Sequence, residues 1–159
     1  ATFAGTISSG AITSSGLVTA DELSVTNDAT FNGSVDASGQ EVTAGTYVIN
    51  NIAVNGSSTA NTSATTQVAV DSVSKTTFRT VKYLVQITNS TDSTYHATEI
   101  LVTHDGTTPS ITEYATIFTG SAEEATFSAD ISGSNLRLLA TPASTDSMTF
   151  KITRTGIKV

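Results

Sequence analysis

The sequence predicts an all-β protein, a glycine-punctuated β shaft or stem followed by an antiparallel β-sandwich head of jelly-roll-like type. Three observations carry this expectation. Ser and Thr fill about a third of the 159 residues, and Thr, like Val and Ile, favours strands because its branched Cβ is stiff in a helix and packs well on a pleat. No stretch shows the 3.6-residue apolar period of an amphipathic helix. Short alternating runs recur between turn-forming residues throughout the second part of the chain.

The first part, residues 1–66, repeats itself. Ala1-Thr2-Phe3-Ala4-Gly5-Thr6-Ile7 returns as Ala29-Thr30-Phe31-Asn32-Gly33-Ser34-Val35, and Ser9-Gly10-Ala11-Ile12 is echoed by Ser15-Gly16-Leu17-Val18. Glycines at 5, 10, 16, 33, 39 and 45 fit very short strands joined by tight turns. This part holds Asp21, Glu22, Asp28, Asp36 and Glu41 but no Lys or Arg, and only 15 large apolar side chains. So few cannot offset the entropy of ordering the segment in isolation. The expectation is a slender shaft over residues 1 to about 50, braided with identical chains about a common axis. The polar run Asn55 to Thr66 reads as a linker or long loop at its end.

The second part, residues 67–159, reads as seven strands. They are Gln67 to Val73, Phe78 to Thr88, Tyr95 to His104, Ser110 to Phe118, Thr126 to Ile131, Leu136 to Thr141 and Met148 to Thr155. Val81, Tyr83, Val85 and Ile87 fall on one face of the long second run, with Lys82 and Gln86 on the other. Asn89 to Ser93, Asp105-Gly106, Ser132 to Asn135 and Pro142 to Ser147 punctuate the series. Regular spacing of short strands indicates a sandwich.

Composition narrows the function. The net charge is −7, so phosphate-backbone attraction is missing and nucleic acid is not an expected partner. No apolar run is long enough for a membrane-spanning helix, and no membrane insertion is expected. Cys is 0, which removes thiolate chemistry and disulfides. The chain starts at Ala1 without Met or a signal-like stretch, which reads as a processed or trimmed start.

The chemistry-bearing residues each have a bland reading. His96 and His104 share one face of a strand about 26 Å apart, too far to share a metal, and read as independent surface or interface histidines. His104-Asp105 lacks a nucleophile elbow, and Asp105 reads as a hairpin turn residue. Glu99 and Glu113 would sit nearly opposite if their strands paired around a turn centred near residue 107. A glycosidase pair needs such carboxylates, but Trp is 0 and aromatics are 6%. They read as solvent-facing, paired with Lys82 or Arg137. Asp21-Glu22 and Glu123-Glu124 lack a calcium-loop pattern. Asn-x-Ser/Thr triplets at Asn32, Asn55, Asn61 and Asn89 follow from Ser/Thr abundance. No phosphate loop, nucleotide motif or zinc spacing occurs. The expectation is no catalytic, cofactor-binding or metal-binding residue, no cofactor, and no enzyme.

Several segments in order carry a resemblance. Lys82-Tyr83-Leu84-Val85-Gln86-Ile87-Thr88, Thr98 to Thr107, Ile111-Thr112-Glu113-Tyr114, Ala125 to Gly133 and Leu136 to Pro142 resemble a C-terminal β-domain of virion structural and fibre-like proteins of tailed phages, notably those of marine cyanobacteria. The match spans roughly residues 77–155, and the front segment is similar in style to phage fibre shafts. The resemblance implies a virion appendage or capsid-surface decoration protein, commonly a homotrimer. Its front would bind other virion proteins, and its head would meet host polysaccharide or protein through loops 89–94, 105–109, 119–124 and 142–147. A bacterial adhesin or pilus-like protein is the alternative of the same composition, and a carbohydrate-active tailspike is a lesser one.

Overall fold

A computed structural model describes residues 25, 29–32, 44 and 46–159. The expected shaft, including its Asp21-Glu22 doublet, lies outside the described residues up to residue 45 apart from those few positions. Residues 43–159 form one unit. Its strands are β1 (Thr46–Ile49), β2 (Ala53–Thr62), β3 (Val68–Ser74), β4 (Phe78–Asn89), β5 (Thr94–His104), β6 (Pro109–Phe118), β7 (Ala125–Ser132), β8 (Asn135–Pro142) and β9 (Met148–Lys158). All pairings are antiparallel. Six strands run in the order β1-β2-β9-β4-β5-β6, and three more in the order β3-β8-β7.

The alternation read in β4 holds residue by residue: Val81, Tyr83, Val85 and Ile87 are fully buried, and Lys82, Leu84 and Gln86 face out. Ile100 and Val102 of β5 and Met148, Phe150 and Ile152 of β9 extend that inner face. Leu136 and Leu138 of β8, Val70 and Val73 of β3 and Phe127 of β7 pack against it. Phe127 meets Phe150 edge-to-face at 6.5 Å, the arrangement that ring quadrupoles favour. Gly156 admits Phe78 to this layer, because a Cβ there would lie 2.6 Å from the Phe78 ring.

The polar run read as a linker is corrected: most of it is strand β2, paired along its length with β9 from Ala53↔Ile157 to Thr62↔Met148. Burial does not drive this strand. Backbone pairing does, aided by side-chain bonds from Thr155 Oγ1 to Asn55 Oδ1 (2.7 Å) and Thr149 Oγ1 to Asn61 Oδ1 (2.8 Å). Asn50 and Asn51 close the β1–β2 hairpin with φ of 48° and 56°, the left-handed region that Asn tolerates better than most residues.

A β-bulge between Ala69 and Asp71 turns Val70 and Asp71 inward together. Asp71 thereby reaches Arg154 of the opposite sheet, 2.8 Å from Oδ1 to Nη1. A second irregularity lies in β6, where Ala115 has φ 55° and the pairing with β5 shifts between Ala97 and Glu99.

Candidate functional site

Strand direction decides which loops share an end. Antiparallel order brings the loops after β4, β6 and β8 to one end of the sandwich, so segments 89–94, 119–124 and 142–147 meet there. The fourth loop of the sequence reading, 105–109, lies at the opposite end.

Asn89, the last residue of β4, organises the meeting and is buried. Its amide donates to Glu124 Oε2 at 3.0 Å and to Asp146 Oδ2 at 3.2 Å. Its carbonyl accepts the backbone N–H groups of Thr91 and Asp92 at 3.0 and 3.2 Å, an Asx turn that shapes the β4–β5 loop. Thr94 Oγ1 also donates to Glu124, and Ser144 Oγ donates to Asp146 at 2.6 Å. Ser90 and Ser147 stitch the outer rim, Ser90 N and Oγ each lying 3.0 Å from Ser147 O. Between the loops lies a cleft of about 190 Å³ whose lining includes Asp92, Glu123, Glu124, Ser144 and Asp146. Carboxylates and hydroxyls dominate it, so it presents acceptors to a ligand rich in hydroxyl or amide donors. Among the described residues, no three His, Asp or Glu side chains are grouped to hold a metal ion.

Beneath the cleft lies His96, and here the surface reading is corrected. Both histidines are buried, because their even spacing puts them on the core face of β5. His96 Nδ1 accepts the Glu124 N–H at 3.3 Å, which leaves the ring proton on Nε2, an atom with no partner. The ring sits edge-on to Phe118 and Phe127. Burial lowers its pKa, outweighing the opposing pull of Glu113, Glu123 and Glu124. His104, at the other end, donates Nε2–H to the Phe78 carbonyl at 2.8 Å.

Asp105 is a turn residue, as the sequence indicated. Its Oδ1 accepts the backbone N–H groups of Thr107 and Thr108, both at 2.7 Å. These bonds hold its pKa down at about 2.

The Glu99–Glu113 juxtaposition is corrected. Glu99 pairs with Tyr114, while Glu113 pairs with Ile100. Adjacent strand positions face opposite sides, so the two carboxylates lie on opposite faces of the sheet. Glu99 instead bonds Lys82 at 2.9 Å, which lowers the Glu99 pKa and raises that of Lys82. Lys82 Nζ also lies 5.9 Å from the centre of the Tyr114 ring. Arg137 pairs with Asp130 rather than with either glutamate.

No family model matches the sequence, and no curated protein matches it. Solved structures that the chain matches include the tailspike protein of Acinetobacter phage vB_ApiP_P1, 16% identical with a TM-score of 0.39 over 79% of this chain. Another is tailspike protein gp49 of Acinetobacter baumannii bacteriophage Fri1, a capsular polysaccharide depolymerase, 13% identical with a TM-score of 0.36 over 70% of this chain. The chain spans 25% and 19% of the lengths of these two proteins. The expectation that the chain is not an enzyme is withdrawn; the depolymerase activity is that of the second of these proteins.

Proposed function

We propose that the chain is the head and part of the stem of a phage virion appendage, of the fibre type seen in marine cyanophages, working at the particle surface. Its glycine-spaced front segment winds with two further copies and docks to other virion proteins. The end of the sandwich carrying loops 89–94, 119–124 and 142–147 faces the host and binds surface polysaccharide or protein. The observation that carries this reading is the Asn89-centred junction, which gathers three loops into one acceptor-rich cleft. Linked copies of such a weak site gain avidity without any new contact. The sequence resemblance over residues 77–155 supports the phage origin.

The test is binding of labelled full chain to a panel of bacterial cells and their purified capsular polysaccharides. Asp92→Ala with Glu123→Ala, whose exposed side chains make no bond to Asn89, weakens binding by roughly tenfold or more. Binding that is unaffected by those substitutions overturns the assignment of the loop end.

A further inference from the structure

We infer that His96 is a proton-operated latch: its neutral ring holds loop 119–124 over the cleft, and a protonated ring releases that loop. This regulation rests on the reading of the loop end as the ligand-binding end of the sandwich.

The loop is tied down through its last residue, the buried Glu124. The Glu124 N–H donates to His96 Nδ1 at 3.3 Å, and its carbonyl accepts the Ala143 N–H at 2.8 Å. Its carboxylate takes the Asn89 amide and the Thr94 hydroxyl. Every polar group of Glu124 is therefore engaged, and this one residue joins the loops that follow β4, β6 and β8. Thr94 and His96 share the inner face of β5, so one strand grips both the side chain and the backbone of Glu124. Of these contacts, only the one to His96 needs an unprotonated imidazole.

A proton on the ring converts Nδ1 from acceptor to donor. Nδ1–H and the Glu124 N–H then face each other as two donors, and Nε2–H already lacks a partner. The ring is 0% exposed, and a buried cation with neither N–H bonded is strongly disfavoured. The charged groups that face it are Glu113 of β6 and Glu123 and Glu124 of the loop, all acidic. Its other neighbours carry no charge: Ile87 across the β4 pairing, Phe118 of β6 and Phe127 of β7. Glu124 is the carboxylate already in contact. It turns to the imidazolium and leaves Asn89 and Thr94, and the loop lifts away from its neighbours. Asn89 then holds only Asp146, and the cleft lined by Asp92, Glu123, Glu124, Ser144 and Asp146 loses its shape. One proton taken up on release shifts the balance by up to about tenfold per pH unit.

The test is an NMR titration of the full chain from pH 7.5 to 5. The chain has two histidines, and His96→Gln assigns their ring signals. The Glu124 backbone amide and the Asn89 side-chain amide shift with the midpoint of the His96 ring, which lies below the ordinary histidine value of 6.5. Backbone amides of the Ser132 to Asn135 turn, at the far end, do not follow it. A capsular polysaccharide of the panel that is bound at pH 7.5 is bound roughly tenfold more weakly at pH 5. The Gln side chain accepts the Glu124 N–H at every pH, so His96→Gln shows neither the shifts nor the fall in affinity. A His96 ring that stays neutral to pH 5 overturns the latch, as does one that titrates without moving the Glu124 and Asn89 signals. These two results need no ligand and leave the loop-end reading standing, and they decide the matter even where His96→Gln fails to fold. Equal affinity at pH 7.5 and 5 overturns the regulation. Absence of binding at every pH overturns the loop-end reading instead.

Discussion

Arg154 Nη1 donates a 2.8 Å hydrogen bond to Asp71 Oδ1 across the two sheets, joining residues 83 apart in sequence. The Asp71 side chain is 3% exposed, and its second oxygen and the nearby buried Tyr83 hydroxyl have no partner. Burial, reinforced by the Asp71 charge, raises the Tyr83 pKa.

Breaking one side of this pair strands a charge. Arg154→Ala is expected to lose about 3 kcal/mol of unfolding free energy, because Asp71 stays buried and loses its counter-ion. The double variant Asp71→Leu with Arg154→Met recovers much of that loss, since an apolar pair of similar volume carries no desolvation cost. Urea titrations of the three proteins check this, and a double variant as unstable as Arg154→Ala contradicts it.

Asn89→Ala removes the shared donor of Glu124 and Asp146. The expected cost is about 2 kcal/mol, because both acceptors lose a buried donor. Urea titrations of the two proteins measure it. An Asn89→Ala variant as stable as the unaltered chain contradicts the role of this shared donor.

His96 gives the fold a pH dependence of defined sign. Its folded pKa lies below the unfolded value of 6.5, so the unfolded chain takes up the proton first as pH drops. Stability therefore falls below about pH 6.5 and is unaffected by this group above it. His96→Gln flattens the change between pH 7 and 5, a range above the carboxylates lowered by their partners, which act at lower pH. A wild-type unfolding midpoint that is constant over that range excludes the effect.

Gly156→Ala pushes Phe78 out of its present position, and the strain is expected to cost about 1–3 kcal/mol. Phe78→Leu, made on the Ala background, relieves part of it by withdrawing the ring. Thermal melts of the single and double variants distinguish relief from simple addition of two losses.

Strands β4 to β8 were legible because each ends on, or within two residues of, Gly, Asn, Asp or Pro, and β3 and β9 were legible from their alternation. β2 was not, because polarity was equated with lack of structure, whereas Asn55, Ser57, Thr59 and Asn61 lie on the open face of a strand held by its backbone. The face of a histidine was legible from its even spacing, but which face is covered depends on the opposite sheet. The loop cleft was half legible. Its three segments were named, yet Asn89 registered only as the start of a turn and as part of a triplet, since nothing local tells that its amide meets residues 124 and 146. Asp71 was hidden by its bulge, which reverses the inward-outward count along β3. The Glu99–Glu113 error has the same origin: one misplaced position in the β5–β6 pairing moves a side chain through the sheet.

β9 is the last of the nine described strands in sequence, yet it sits between β2 and β4. During synthesis a nascent chain lacking β9 carries two half-sheets with open edges, and neither can close on the other. Completion waits for residues 148–158 to leave the ribosome, so the strands made earlier are not joined in one sheet until that segment emerges.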